Sequence, residues 1–413
     1  MTIAMAHAVG NANVRQAALA LAERGMLAEF MTCLAWDRRW LADRLLPAGI
    51  LRECRRRSLP DPVLRLTRTR PLRELGRLTA SRLGFSRLVR HEAGRFCIDA
   101  VNHDLDRAFA RRLPMIRDLS GIYTYEDSAE ASLAAARRLG IPGFYELPIG
   151  YWRAHHAILS EEAELQPAWA PTIAILRDGE AKLARKDREL ELADTVVVPS
   201  AFVRETLASS QVSPERIRVV PYGCSAPEIA GRTTNSGTLR ILAVGGLSQR
   251  KGLSYLFAAA RQLGDAATLT VIGRREGGGV CPALDAELSR VRYIESLPHQ
   301  EILREMRAHD VLLFPTLFDG FGLVILEALA QGLPVISTPN SGAPDVLSDG
   351  IDGFIVPIRD SEALVDRVAR LARDRSLLRD MSEAALATAR RATWDIYRAR
   401  LAALVGEGQP ISA

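Results

Sequence analysis

The chain has 413 residues, too many for one ordinary core, so two domains of about 150–200 residues each are expected. A hydrophobic share of 48% with 25% charged residues excludes a disordered chain. No apolar run approaches the ~18 residues of a membrane span and no charged n-region precedes a long apolar stretch, so the expectation is a cytoplasmic protein. The net charge of +5 comes with only 6% aromatics and no basic–aromatic motif, so no nucleic-acid partner is expected.

From the N-terminus, residues 2–8 predict a strand, 10–13 a tight loop, and 14–24 a helix with Val14, Ala17, Ala18, Leu21 and Ala22 on one face. Between Arg52 and Arg95 arginines crowd together, with leucines such as Leu64, Leu66, Leu72, Leu75, Leu78 and Leu83 interleaved. Parts of this stretch can form basic amphipathic helices at an anionic membrane surface, or simply an Arg-rich solvated face. In NHDLDRAFARRL, Asp104 and Asp106 form a D-x-D that could hold a metal, but the amphipathic pattern reads as a solvated helix face. The strand–helix alternation continues as GIYTYED, a helix opened by Ser128, IPGFYELP, and DTVVVPS followed by a helix that Ser200 can cap. Residues 221–239 are polar, Gly-rich and without period, as an interdomain linker would be.

A second series follows: RILAVGG, a helix from about Leu253, ATLTVIGR, a helix around residues 300–308, DVLLFPT, a short apolar helix and LPVIST. Such alternation predicts an α/β protein with two doubly wound, Rossmann-like domains facing a cleft. Three loops then fall at strand C-terminal ends, over 245–251, 273–279 and 315–322. Within them, Gly245, Gly246 and Gly273 permit close backbone approach, and Arg250 and Lys251 are adjacent cations ahead of a helix, the chemistry of a diphosphate cradle. The alternative is a glycine turn with solvated bases. Lysine itself is informative: only Lys182, Lys186 and Lys251 occur among 54 basic residues, a skew that coding bias explains but that singles out each lysine. Gly320, Phe321, Gly322 and Leu323 bring amides to a helix N-terminus, which also favours an anion. Asp319 and Glu327 flank that helix start, and Glu327, in a helix apolar over most of its surface, should need a partner. Sugar hydroxyls, diphosphate and ribose would span such a site. Five scattered cysteines without a C-x-x-C pair suggest free thiols and no zinc site.

DGFGLVILEALAQGLPVI, the Lys251-Gly252 pair after strand and loop, ADTVVVPSAFVRETL, RIRVVPYG, SGAPDVLSDGIDGFIVP and a late Trp394 together resemble a family 4 retaining glycosyltransferase of GT-B fold. The resemblance covers most of the C-terminal half and is weaker before it. It implies an acceptor-side domain over residues 1–225, a donor domain over 236–390, and a C-terminal helix near 391–413 that packs back on the first domain. It implies transfer of a hexose-type sugar from a nucleoside-diphosphate sugar to a glycan or lipid-linked acceptor, with retention, in bacterial cell-surface polysaccharide synthesis at the inner face of the membrane. Lys251 would bind diphosphate with Arg250, Asp319 the donor sugar, and Glu327 the ribose, with no metal. Asp319 stands for the usual Glu, Gly246 for a frequent Arg, and the family's acceptor-side His has no clear counterpart; Gly10, Asn11 and Glu146 are acceptor-side candidates, with His155 and His156 at uncertain register. A non-catalytic nucleotide-sugar-binding subunit and a nucleotide-sugar epimerase remain alternatives. A dinucleotide oxidoreductase is disfavoured, because neither half opens with G-x-G-x-x-G.

Overall fold

Short apolar runs build two parallel sheets in the computed structural model, which describes residues 1–39, 43, 51, 54–227, 237–276 and 280–407. The first sheet contains β1 (Ile3–Ala6), β2 (Leu27–Thr32), β3 (Thr67–Thr69), β4 (Gly121–Tyr125), β5 (Gly143–Glu146), β6 (Thr195–Val198) and β7 (Ile217–Val219), in the order β3-β2-β1-β4-β5-β6-β7. The second contains β8 (Leu239–Val244), β9 (Ala267–Ile272), β10 (Arg292–Ile294), β11 (Val311–Phe314), β12 (Val335–Ser337) and β13 (Gly353–Ile355), in the order β10-β9-β8-β11-β12-β13. Parallel strands joined by helical crossovers are covered on both faces. Accordingly every residue of β1, β4, β5, β11 and β12 is buried, with no polar alternation. Strand order reverses between β1 and β4 and again between β8 and β11, so the loops leaving these strands line the crevices where ligands bind in such sheets.

Two elements differ from the sequence-based expectation. The helix expected to open at Ser128 runs Glu130–Leu139, and its leading amides are satisfied by distant carboxylates. Asp106 accepts from the amides of Ala131 (2.7 Å) and Ser132 (2.9 Å), and Glu189 from those of Asp127 (2.9 Å) and Ala129 (3.1 Å). The Asp104–Asp106 stretch is helical, within Ile98–Arg112, but it is not a solvated face. Asp106 is 5% exposed, and Asp104 pairs with Arg70 at 3.0 Å. An amphipathic pattern cannot reveal that another helix begins against its polar side.

The connection between the sheets is packed where it is described, residues 228–236 lying outside the described residues. Tyr222 and Cys224 are buried, and the backbone of Cys224 pairs with Thr393, just ahead of the helix Trp394–Gly406. That helix lies against Ala12–Glu23, with Arg398 bonded to Gln16 (2.7 Å) and paired with Glu23 (3.0 Å). Residues 408–413 of the expected C-terminal helix fall outside the described residues. One apolar cluster runs from Ile3 and Phe30 through Tyr222 and Tyr397 to Phe321 and Ile325, so the two sheets share a core. All five cysteines are free.

Candidate functional site

Two loops at the C-terminal edge of the second sheet meet at a compact charge cluster. After β8 the chain turns through Gly245 and Gly246, and Ser248 caps a single turn, Gln249–Lys251, that carries the two cations. The chain then reverses at Gly252, whose φ of +69° excludes ordinary side chains and whose Cβ would lie 2.0 Å from the Pro315 carbonyl oxygen. That contact brings the loop after β11 alongside. The amide of Leu317 donates to the Arg250 carbonyl (2.9 Å), and the Arg250 guanidinium returns a bond to the Phe318 carbonyl (2.9 Å).

Asp319 closes the cluster. Its Oδ2 accepts from Lys251 Nζ and lies 3.3 Å from Arg250 Nη1, while its Oδ1 accepts from the Phe321 amide at 3.2 Å. Burial would push this carboxyl up, but the adjacent Lys251 and Arg250 outweigh it and hold the group well below the usual carboxylate range. Lys251 also stands 4.7 Å from the centre of the Phe314 ring. With Val244, Gly245, Gly246, Leu256 and Phe314 it lines a small pocket. Glu276, which follows Gly273 at the end of β9, sits over Gly246 and 3.9 Å from Arg250. Residues 277–279 of the loop expected here lie outside the described residues.

Glu327 projects from the helix Leu323–Ala330, entered through Gly322 in the left-handed region (φ +76°). Its partner is His299 of the neighbouring helix, 3.8 Å away. Burial pushes the Glu327 carboxyl up and His299 opposes this. The side chain keeps 31% of its surface exposed, so it is less buried than the apolar helix suggested, and solvent supplies part of what the partner does not. Leu323 is half-buried on the first turn of that helix, and Phe321 is buried.

The acceptor-side candidates do not form one cluster. Asn11 is exposed at the start of the helix Ala12–Glu23, and Gly10 packs beside Leu59. Glu146 is 1% exposed and bonded to Tyr123 (2.6 Å), Tyr222 (2.6 Å) and Asn13 (3.2 Å). Burial pushes its carboxyl up, and these donors pull it back. His155 is buried, not a surface residue; its ring stacks on Phe318 at 4.2 Å and burial holds its pKa well below the usual histidine value. His156 packs edge-on to Trp152 at 5.5 Å.

Several contacts across the cleft had no sequence signal. The hydroxyl of Ser200, read correctly as a cap, also donates to the Gly320 carbonyl (2.6 Å), and Asp345 accepts from the Ala201 amide (3.1 Å). Lys182 and Lys186 are not at the charge cluster: they are buried among Asp178, Glu126 and Asp127. Among the described residues one trio of potential metal ligands, His91, Glu92 and Asp178, lies within 4.8 Å, but Asp178 already accepts from the Lys182 ammonium at 2.9 Å.

Residues 227–388 match the family model described as Glycosyl transferases group 1. The chain is 32% identical over 145 residues to the amylovoran biosynthesis glycosyltransferase AmsK of Erwinia amylovora, covering 32% of this chain and 36% of that protein. It is 31% identical over 143 residues to the D-inositol 3-phosphate glycosyltransferase of Kribbella flavida, covering 33% and 34%. Across eight such curated relatives the matched part spans between 22% and 57% of their length. Among solved structures, sucrose-phosphate synthase from Thermosynechococcus elongatus aligns with a TM-score of 0.69 at 19% identity over 98% of both chains. Anabaena HepE in complex with UDP aligns at 0.63 and 15%, over 99% of this chain and all of that one. These structural likenesses show the fold, which is GT-B, and the resemblance to family 4 glycosyltransferases stands on the sequence matches.

Proposed function

We propose that the protein is a retaining glycosyltransferase that moves a hexose-type sugar from a nucleoside-diphosphate sugar to a glycan or lipid-linked acceptor in cell-surface polysaccharide synthesis. The observation that carries this reading is the Lys251–Arg250–Asp319 cluster at the glycine-lined edge of β8 and β11. As a glycosidic bond breaks, charge develops on the leaving diphosphate, and preorganised cations in a partly buried site stabilise it more than water does. Lys251 and Arg250 would fill that role, and a metal would not be needed for it. In the free protein Asp319 neutralises them; a diphosphate would take over the cations and release Asp319 toward sugar hydroxyls. Glu327, partly exposed on the second turn of the helix that follows Asp319, is assigned to the ribose. UDP in the solved HepE complex, and UDP-glucose in another complex of that protein, support a uridine donor as the first to test.

The test is calorimetry with UDP, GDP and ADP and their glucose conjugates, followed by assay of donor hydrolysis. Wild type should bind one base class and slowly hydrolyse its sugar conjugate, with activity retained in EDTA. Lys251→Ala should weaken diphosphate binding about ten- to a hundredfold, as loss of a charged hydrogen bond implies, and Glu327→Gln should chiefly weaken nucleotide affinity. Equal donor affinity in Lys251→Ala and wild type would refute the cradle. Binding without any turnover would favour a donor-binding subunit.

A further inference from the structure

The helix Trp152–Leu165 belongs by sequence to the first half of the chain, yet it and the turn after it grip both loops of the charge cluster. At its first turn the His155 ring stacks on Phe318 at 4.2 Å and 12°, and Phe202 meets the same ring edge-on at 5.0 Å. Phe318 is fully buried in this socket, and the next residue is Asp319. Gly150 completes the socket: a Cβ there would lie 2.8 Å from the Phe318 ring. Two turns along, Glu162 has no exposed surface and accepts from Gln249 Nε2 (2.6 Å), Arg359 Nε (2.8 Å) and the Tyr255 hydroxyl (3.2 Å). Gln249, also without exposed surface, immediately precedes Arg250 and Lys251. Thr172 adds two bonds to the same loop, accepting from the Gln249 amide and the Ser248 hydroxyl at 2.8 Å each. Arg359 holds a left-handed backbone (φ +64°), unusual for a side-chain-bearing residue and here tied down by Glu162, Glu161 and the Ile158 carbonyl.

We propose that Glu162 and His155 are positioning residues of the donor site, so that the cradle for the nucleoside diphosphate is set by the acceptor-side half of the chain. Glu162 fixes the loop that presents Arg250 and Lys251, and His155, through Phe318, fixes the loop that presents Asp319. The two loops brace each other through Arg250 and Lys251, contacts that hold only while both loops keep their places, so a lost external grip lets the cations and carboxylate shift. Small displacements of positioned groups weaken binding and turnover strongly. The inference rests on the glycosyltransferase reading and goes beyond it, because neither residue touches the ligand.

The experiment measures UDP, GDP and ADP affinity by calorimetry, and donor hydrolysis, for wild type, Lys251→Ala, Glu162→Gln, His155→Ala and His155→Phe, with ligand-free melting curves for each. Glu162→Gln puts an amide donor among donors from Gln249 and Arg359, so affinity for the bound nucleotide should fall about tenfold. His155→Ala should fall similarly, and His155→Phe, which restores the flat ring, should recover most of the loss. Failure of wild type to bind any of the three nucleotides overturns the donor reading and this inference with it. Loss of binding in Lys251→Ala alongside unchanged affinity in folded Glu162→Gln and His155→Ala overturns the inference alone. His155→Phe as weak as His155→Ala also overturns the stacking role.

Discussion

Asp319 and Lys251 were legible as chemistry because each is rare in its setting, a carboxylate in an apolar run and one of three lysines among 54 basic residues. That they bond to each other was not legible, since 67 residues separate them in the chain. Buried titratable groups elsewhere make the fold itself sensitive to pH. Burial holds His7 down at about 4, and burial followed by the Asp127 charge pushes Glu189 up to about 8. A histidine lowered in the native state contributes stability that is complete above about 6.5 and is lost as pH falls toward 4. A carboxyl raised in the native state contributes stability that is complete below about 4.5 and is lost as pH rises toward 8. The two oppose each other between pH 4.5 and 6.5, and Glu189 acts alone between 6.5 and 8. Unfolding free energy from urea titrations should therefore decline by up to about 1 kcal/mol per pH unit between pH 6.5 and 8. Glu189→Gln should flatten that limb; an unchanged slope in the variant would mean that Glu189 is ionised in the fold.

At the level of elements, the helix Glu130–Leu139 shows how an anion-friendly terminus can be used up internally. Asp106 accepts from two amides of its first turn, and Glu189 from the cap amide of Ala129 and from Asp127 before it, so no ligand is needed there. Asp106→Ala should cost about 1–3 kcal/mol, as loss of a cap with two buried amides left unmet implies. Adding Mg or Mn to wild type should leave the melting temperature unchanged, because a ligand raises it only by binding the folded state. A metal-dependent rise that Asp106→Ala abolishes would restore Asp104 and Asp106 as a metal site. The same helix marks the limit of sequence reading. Central strands such as β4, β5 and β11 announce themselves as apolar runs between turn signals, whereas the edge strands β3 (Thr67-Arg68-Thr69) and β10 (Arg292-Tyr293-Ile294) are three residues long and partly polar. Ser200 could be read as a cap because capping is local. Glu162 with Gln249, and His155 with Phe318, could not be read, because their pairing arises only when the two sheets close on one another.

For the whole molecule, the two halves differ in what they show to solvent. The second half presents its charge cluster to the crevice. The first half exposes an apolar and basic surface over residues 66–88: Leu72 keeps 74% of its surface, Leu83 62%, Phe85 55% and Leu75 47%. Arg82 and Arg87 are exposed beside them on the helix Leu72–Arg82 and the turn Ser86–Leu88. The structure sorts the arginines of this stretch, which the sequence could only count, while Arg52 lies outside the described residues. Arg55 and Arg57 are committed to Asp43 and Glu74, and Arg70 to Asp104, so these are fixed by intramolecular pairs and are poor candidates for lipid headgroups. No helix among the described residues is long and apolar enough to cross a membrane. A patch of this make-up suits shallow insertion of Leu72, Leu83 and Phe85 with arginines at headgroup level, each favourably placed cation adding up to about 1 kcal/mol. A lipid-linked acceptor would then be met at the membrane surface. Co-sedimentation with vesicles should rise with the fraction of anionic lipid and fall with salt over the range in which exposed charges are screened. Arg82→Ser with Arg87→Ser should remove most of the salt-sensitive part, and Leu83→Ser with Phe85→Ser most of what survives high salt. If wild type ignores anionic vesicles even at low salt, the patch is an ordinary solvated surface and the acceptor is a soluble glycan.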